Sequence, residues 1–354
     1  MSRFWSQTSK KILPYVPGEQ PNDRTYIKLN TNENPYPPSP LVLKAIRENA
    51  NESLRLYPDP ECNELRERIA SYYGFNKEEV FVGNGSDEIL AFSFMAFFMP
   101  DRPLIYPDIT YTFYDVYASL FRIQHTIVPL KDDFTIDIKP YCTDGAGIIL
   151  ANPNAPTGIA LDIDNLETIL RNNPNNIVMI DEAYVDFGAT SVMPLIKEYE
   201  NLLVIQTFSK SRALAGLRVG FAVGNKDLIQ GLNRIKNSVN SYPLDRLAII
   251  GAMESISDNA YFQETKQKII NTRERIYENL NDLGMNIIKS KANFMFMCHK
   301  EIYGEELFKR LRQKGILVRH FNRPRIDNYI RVTIGKDDEM DIFIEQLKKV
   351  ISEN

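Results

Sequence analysis

The segment LLVIQTFSKSRALAGLRVGFAV (202–223) joins two short apolar runs through a polar centre holding Thr207, Ser209, Lys210, Arg212 and Arg218. Runs this short and this continuously apolar read as strands buried on both faces. Outward from it the same unit recurs: VFV (80–82), LIY (104–106), TIV (126–128), GIILA (147–151) and IVMI (177–180). Helix-length amphipathic stretches, such as Ile89–Phe98 and Asp164–Arg171, lie between several of them. Apolar strands alternating with helices predict an α/β fold, with a mainly parallel seven-stranded sheet sandwiched by helices.

After about Lys226 the pattern changes. Helical stretches run to about Ser238 and through Leu247–Ile256 and Phe262–Leu283. Strand-like runs follow at Asn293–Met297, Gly315–Val318 and Tyr329–Ile334, and Asp337–Ser352 closes the chain as a helix. This is an α+β order, expected to form a smaller domain. We therefore expect a large domain over 40–236, with 1–39 as an irregular Pro- and Asn-rich arm and 237–354 as the small domain.

The chain has 354 residues, 44% hydrophobic and 25% charged, which is globular composition. Its 42 Lys and Arg against 46 Asp and Glu give a net charge of −4. That balance offers no bulk attraction to nucleic acid or to an anionic membrane. The apolar stretch Ile89–Met99 is about half of what a membrane span needs. MSRFWSQTSKKILPYVPGEQ (1–20) has no apolar signal core, and Cys62, Cys142 and Cys298 are sparse and form no CxxC pair. Both features predict a cytoplasmic protein without disulfides. His125, His299 and His320 are isolated, so no metal site is expected.

In an open parallel sheet, ligands bind beyond the carboxyl ends of the strands, so the residues there matter most. After FVGNG (81–85) come Ser86, Asp87 and Glu88 and then an apolar helix. A strand, a Gly turn and a helix start present free N–H groups that suit a phosphate. Position 88 is Glu, which breaks the dinucleotide fingerprint, and Ser86 taken alone reads as a plain N-cap. After GIILA comes the tight loop NPNAPTG (152–158), where Asn152 is either a turn former or a rigid donor and acceptor. After IVMI comes DEAY (181–184), where Asp181 is a capping acid or a buried partner for a cation. After LLVIQ come Ser209, Lys210 and, eight residues on, Arg218. Lys210 is a surface lysine or a group that condenses with a carbonyl, and Ser with Arg suits a phosphate. Together these residues meet the needs of pyridoxal phosphate: a phosphate site, an acid for the pyridine nitrogen, donors for the phenolate oxygen and a lysine for the aldehyde.

At this point the sequence resembles the fold-type I pyridoxal-phosphate aminotransferases, in particular the histidinol-phosphate aminotransferase group. KLNTNENPYPPSP (28–40), LYPD (56–59), GNGSDE (83–88), NPNAPTG (152–158), DEAY (181–184), SKSRALAGLRVG (209–220) and YIRVTIG (329–335) occur in the expected order. The resemblance implies that Lys210 holds the cofactor aldehyde and moves a proton, and that Asp181 pairs with the pyridine nitrogen. Asn152 and Tyr184 would hydrogen-bond the phenolate oxygen, and Tyr111 would stack on the ring. Gly85, Ser86, Asp87, Ser209 and Arg218 would hold the phosphate. Tyr57 would reach the same phosphate from a partner subunit, which implies a homodimer with shared active sites.

The resemblance also implies that Arg331 and Arg319 would clamp the anionic end of the substrate, with Tyr15 and Asn32 helping to close the site. In YIRVTIG, alternation sets Arg331 and Thr333 on one face and Ile330, Val332 and Ile334 on the other. A salt bridge is the alternative role for Arg319, and Arg323 and Arg325 stand close by. Ala292, where relatives often carry Thr, would line the site. The implied reaction is transamination of histidinol phosphate with 2-oxoglutarate. An aromatic amino acid aminotransferase, a pyridoxal-phosphate decarboxylase of a phosphorylated amino acid and a non-enzymatic binding protein are the alternatives.

Overall fold

The computed structural model describes residues 2–98 and 103–353. Met99, the end of one apolar stretch, lies outside the described residues. In the N-terminal arm stand a short helix, Gln7–Lys11, and strand β1 (Ile27–Lys28). The large sheet follows: β2 (Val80–Asn84), β3 (Leu104–Pro107), β4 (His125–Val128), β5 (Gly147–Ala151), β6 (Val178–Asp181), β7 (Leu202–Thr207) and β8 (Val219–Gly224). Its order is β2-β8-β7-β6-β5-β3-β4. β8 is antiparallel to both neighbours and every other pair is parallel. The sheet is therefore mainly parallel and seven-stranded, as expected.

The continuous apolar runs have a direct cause. Ile148, Leu150, Val178, Ile180, Leu202 and Val204 enter one core, while Ile149, Met179, Leu203 and Ile205 enter the core on the opposite face. Successive side chains of a strand point to opposite faces, so a strand covered on both sides is apolar throughout. β4 is an edge strand, and His125, Thr126 and Ile127 are correspondingly exposed. Helix Gly85–Phe97 covers one face through Ile89, Leu90, Phe92 and Phe94. The other face takes helices Asn63–Tyr73, Ile163–Arg171 and Arg246–Ser257.

The remaining strands are β9 (Met285–Ile288), β10 (Phe294–His299), β11 (Ile316–Leu317), β12 (Arg319–His320) and β13 (Ile330–Thr333). β12-β13-β10-β9 form an antiparallel sheet over the core of the C-terminal region. The run at Gly315–Val318 does not join this sheet. Its strand β11 pairs in parallel with β1, Ile27 opposite Ile316. The arm is thus tied to the C-terminal region by a ladder that local sequence does not announce. Among the described residues no helix is long and apolar enough to cross a membrane.

Candidate active site

The strand directions bring one set of ends together. The carboxyl ends of β2, β3, β5, β6 and β7 share an edge, and antiparallel β8 starts there with Arg218 just before it. A cavity of about 880 Å³ opens at this edge and reaches β12 and β13, a size that suits a cofactor with a small substrate. Tyr15, Asn32, Ser86, Asp87, Tyr111, Asp181, Tyr184, Ser209, Lys210, Arg218, Arg319 and Arg331 all line it. Gly85, Asn152 and Tyr57 do not.

One end of the cavity gathers a helix N-terminus, an arginine and two hydroxyls. The helix starts at Gly85, whose φ is +75°, and a Cβ there would stand 2.5 Å from the Arg218 guanidinium. Gly220, across the ladder from Thr207, lets the same turn approach β8, since a Cβ would meet the Ser86 nitrogen at 2.5 Å. Ser86 lies inside the first helical turn rather than at the N-cap, which is Asn84. Its N–H is one of those without an intrahelical acceptor. Glu88 accepts the N–H of Asn84 at 2.6 Å and closes the turn. Arg218, held at φ 54°, donates to Ser209 Oγ at 3.3 Å and to the Asp87 carboxylate at 3.0 Å. A non-glycine residue in the left-handed region costs on the order of 1 kcal/mol, and here it aims the guanidinium into the turn. Thr207, two residues before Ser209, completes the donor set, with its hydroxyl 3.0 Å from Ser209 Oγ. Asp87 is an anion that also accepts from Tyr111 at 2.7 Å, so only its N–H can serve a phosphate.

The middle of the cavity carries the acid and the lysine. Asp181, the last residue of β6, is 5% exposed, which rules out a solvated role. Tyr114 donates to it at 3.0 Å and the Ala183 N–H at 3.2 Å. Among the described residues it has no ion-pair partner within 4.0 Å. Burial outweighs these donors and pushes its carboxyl up to about 6. Lys210 Nζ donates to the Thr31 carbonyl at 3.2 Å and stands 5.7 Å from the Tyr184 ring centre. Asn34 donates to the Lys210 and Ser211 carbonyls at 3.0 and 3.1 Å and steadies the turn that carries the lysine. Tyr15 and Phe113 stack at 4.5 Å, with Tyr111 beside them, as an aromatic wall.

The far end holds Arg319 and Arg331, directly paired across β12 and β13. Neither has an acidic partner within 4.0 Å among the described residues. Arg331 donates to the Asn30 carbonyl at 3.2 Å, and its buried Nε has no partner there. Burial pulls its pKa below the usual arginine value. Arg319 donates to the carbonyls of Val16 and Pro17 at 2.9 and 3.1 Å, so the salt bridge considered for it does not form. The neighbouring arginines are neutralised instead: Arg323 by Asp115 at 3.5 Å and Arg325 by Asp108 at 2.8 Å. Phe321, which sequence reading passed over, faces both free guanidiniums at 5.4 and 5.6 Å.

Asn152, Tyr57 and Ala292 do not line the cavity. Asn152 is buried behind the wall, where Oδ1 accepts the Leu161 N–H at 2.7 Å and Nδ2 donates to the Leu161 carbonyl at 3.3 Å. Tyr57 is 79% exposed and stacks on Tyr242 at 4.6 Å, outside the cavity. Ala292 does not line the site: it is fully buried with Ala155 and Phe294 behind Tyr184.

Taken together, sheet order and site define an enzyme of the fold-type I transferase class. A histidinol-phosphate aminotransferase from Sinorhizobium meliloti, solved in complex with pyridoxal-5'-phosphate, matches with a TM-score of 0.89 over 100% of this chain and 99% of that one, at 24% identity. The chain belongs to the aminotransferase class I and II family, whose model matches residues 24–347. It is 57% identical over 352 residues to the histidinol-phosphate aminotransferase of Brachyspira hyodysenteriae, covering 99% of each chain. It is 54% identical over 352 residues to that of Clostridium acetobutylicum, covering 99% of this chain and 100% of the relative.

The raised pKa of Asp181 has a consequence for the cofactor-free protein. A carboxyl whose folded value lies above its unfolded value contributes stability at low pH and loses it as pH rises through the folded value. Asp181→Asn keeps an acceptor oxygen for the Ala183 N–H and turns its amide nitrogen, a donor, to the Tyr114 hydroxyl oxygen, but it cannot ionise. Relative to wild type it should gain stability as pH rises from about 4 to above about 6, reaching about 2–3 kcal/mol. Thermal melts of both proteins across that window check this, and a pH-independent difference would refute it.

Proposed function

We propose that this aminotransferase moves the amino group of L-histidinol phosphate to 2-oxoglutarate, using pyridoxal 5'-phosphate. One observation carries the substrate reading: two arginines paired across adjacent strands, without an acidic partner within 4.0 Å among the described residues, line the cavity that holds Lys210. Arginine binds a phosphate or a carboxylate with the same planar fork, so one pair can serve both substrates. The Brachyspira and Clostridium relatives named above are both called histidinol-phosphate aminotransferase.

The residues present suit the cofactor. Glycine at 85 and 220 leaves a cradle that a Cβ would fill, and Asp181 is a buried carboxylate with no counter-charge within 4.0 Å among the described residues. The N–H groups at 86 and 87 with Ser209 and Arg218 would hold its phosphate, Asp181 would keep its pyridine nitrogen protonated, and Tyr111 would lie on its ring. Bound there, the cofactor supplies a sink for the electron pair left at the substrate Cα. Lys210 Nζ would anchor its aldehyde and, once displaced by the substrate amine, take the Cα proton as general base. Tyr184 would donate to the phenolate oxygen, and Asn152 would serve beside it through its second amide hydrogen. Tyr15 and Asn32 would close the site around the substrate held by Arg331 and Arg319. A homodimer is part of this reading: Tyr57, exposed beside Tyr242, would reach the phosphate of a second copy.

The test is a half-reaction. Cofactor-loaded protein is mixed with L-histidinol phosphate and no keto acid, and with phenylalanine in parallel, while cofactor absorbance is followed. Rapid conversion with histidinol phosphate and slow conversion with phenylalanine is expected. Conversion with phenylalanine alone would transfer the substrate to the aromatic amino acids, and no conversion with either would overturn the reaction.

A further inference from the structure

Thr333 has no part in the reaction above, yet it touches the residue that touches Tyr184. It ends β13, two positions after Arg331 and on the same face, and is 3% exposed. Its N–H donates to the Leu29 carbonyl at 2.9 Å. Its hydroxyl oxygen accepts the N–H of Asn32 at 3.0 Å and stands 3.1 Å from Asn32 Oδ1. Asn32 is 1% exposed, held at φ 57°, with its carbonyl taking Asn293 Nδ2 at 3.0 Å. The outward atom of its amide, Nδ2, lies 2.9 Å from the Tyr184 hydroxyl.

Hydrogen-bond direction now propagates along this chain. A hydroxyl carries one proton, and an amide nitrogen donates but does not accept. Having accepted the Asn32 N–H, the Thr333 hydroxyl directs its proton to the amide oxygen. The amide nitrogen is thereby turned toward Tyr184, whose oxygen must accept. The Tyr184 proton is then free to point into the cavity. Without the hydroxyl at 333 the amide can turn over, and Tyr184 would direct its proton to Asn32 Oδ1 instead.

We propose that Thr333 is a positioning residue that fixes the Tyr184 hydroxyl as a donor toward the cavity. The proposal rests on the functional reading, in which Tyr184 faces the phenolate oxygen of the cofactor. A donor to that oxygen favours its ionised form, so losing the donor should raise the pH at which bound-cofactor absorbance changes.

The experiment is a spectroscopic pH titration of the loaded protein, independent of turnover. Thr333→Val, close to isosteric, should raise the midpoint by about 0.5–1 pH unit, the worth of one hydrogen bond. Thr333→Ser should keep the wild-type midpoint. In a Tyr184→Phe background Thr333→Val should add no further shift, because its route runs through the missing hydroxyl. If Thr333→Val does not fold or load, Thr333→Ala is read in the same cycle. An unchanged midpoint, an equal shift in the serine variant, or a shift that persists without the Tyr184 hydroxyl overturns the assignment. A wild-type protein that binds no cofactor overturns the functional reading beneath it, which separates the two failures.

Discussion

Lys210→Ala should lose turnover by a factor of at least about 10⁴, the upper range for removing a positioned general base, while keeping measurable affinity for pyridoxal phosphate. The expectation follows from where the amine stands. It stands in the turn after β7, in a cavity, with a backbone carbonyl at 3.2 Å as its hydrogen-bond acceptor. No carboxylate lies within 4.0 Å of it among the described residues, so it is not one half of a structural ion pair. Removing it should therefore cost little fold stability. The groups proposed for the phosphate, at 86, 87, 209 and 218, stand apart from it and should retain the cofactor, though less tightly without the covalent anchor. Steady-state turnover, cofactor retained after dialysis, and a thermal melt separate these effects. Partial recovery by a small added amine would identify the proton-carrying nitrogen as the missing part. Normal turnover in the variant would sink the role assigned to Lys210.

How much of this could be read from the chain depends on the range of the causes. The seven strands were legible because burial on both faces writes itself locally as an apolar run. Their polar ends were legible because a parallel sheet collects them at one edge. β13 was legible too: Ile330 and Val332 enter the C-terminal core while Arg331 and Thr333 face the arm and the cavity. The two-residue strands β1 and β12 were not, nor was the pairing with β1 of β11, itself legible within Gly315–Val318. They exist through partners distant in sequence, and two residues carry no periodicity. The bonding of Asn152 to Leu161 and the burial of Ala292 behind Tyr184 likewise depend on how a loop folds back. Phe321 and Thr207 had a weaker signal: each lies two residues from a residue already singled out, Arg319 and Ser209.

Arg331→Ala should lower kcat/KM for histidinol phosphate by roughly 30- to 3,000-fold, since losing a buried charge-assisted contact costs about 2–5 kcal/mol. Arg319→Ala should cost less, because that side chain is only partly buried and already bonds the carbonyls of Val16 and Pro17. The argument turns on what the cavity does without a ligand. The two arginines are cross-strand partners on β12 and β13, and the Arg331 Nε is buried without a partner among the described residues. Like charges repel and burial penalises Arg331, so without its ligand the protein is destabilised by the groups proposed to bind the anion. Phe294 and Phe321, at 5.2 and 5.4 Å from the Arg331 guanidinium, offset only part of this. Removing Arg331 should consequently leave the ligand-free protein about as stable as wild type while abolishing the stabilisation that a phosphate-bearing substrate gives it. Arg331→Lys should fall between, because an ammonium keeps the charge but loses the fork. Melting temperatures with and without histidinol phosphate, beside kcat/KM for the three variants, test the chain of reasoning. A variant that melts far below wild type and keeps its kcat/KM would make Arg331 a structural residue, whereas one that melts normally and loses its response to the phosphate ester would make it the substrate anchor.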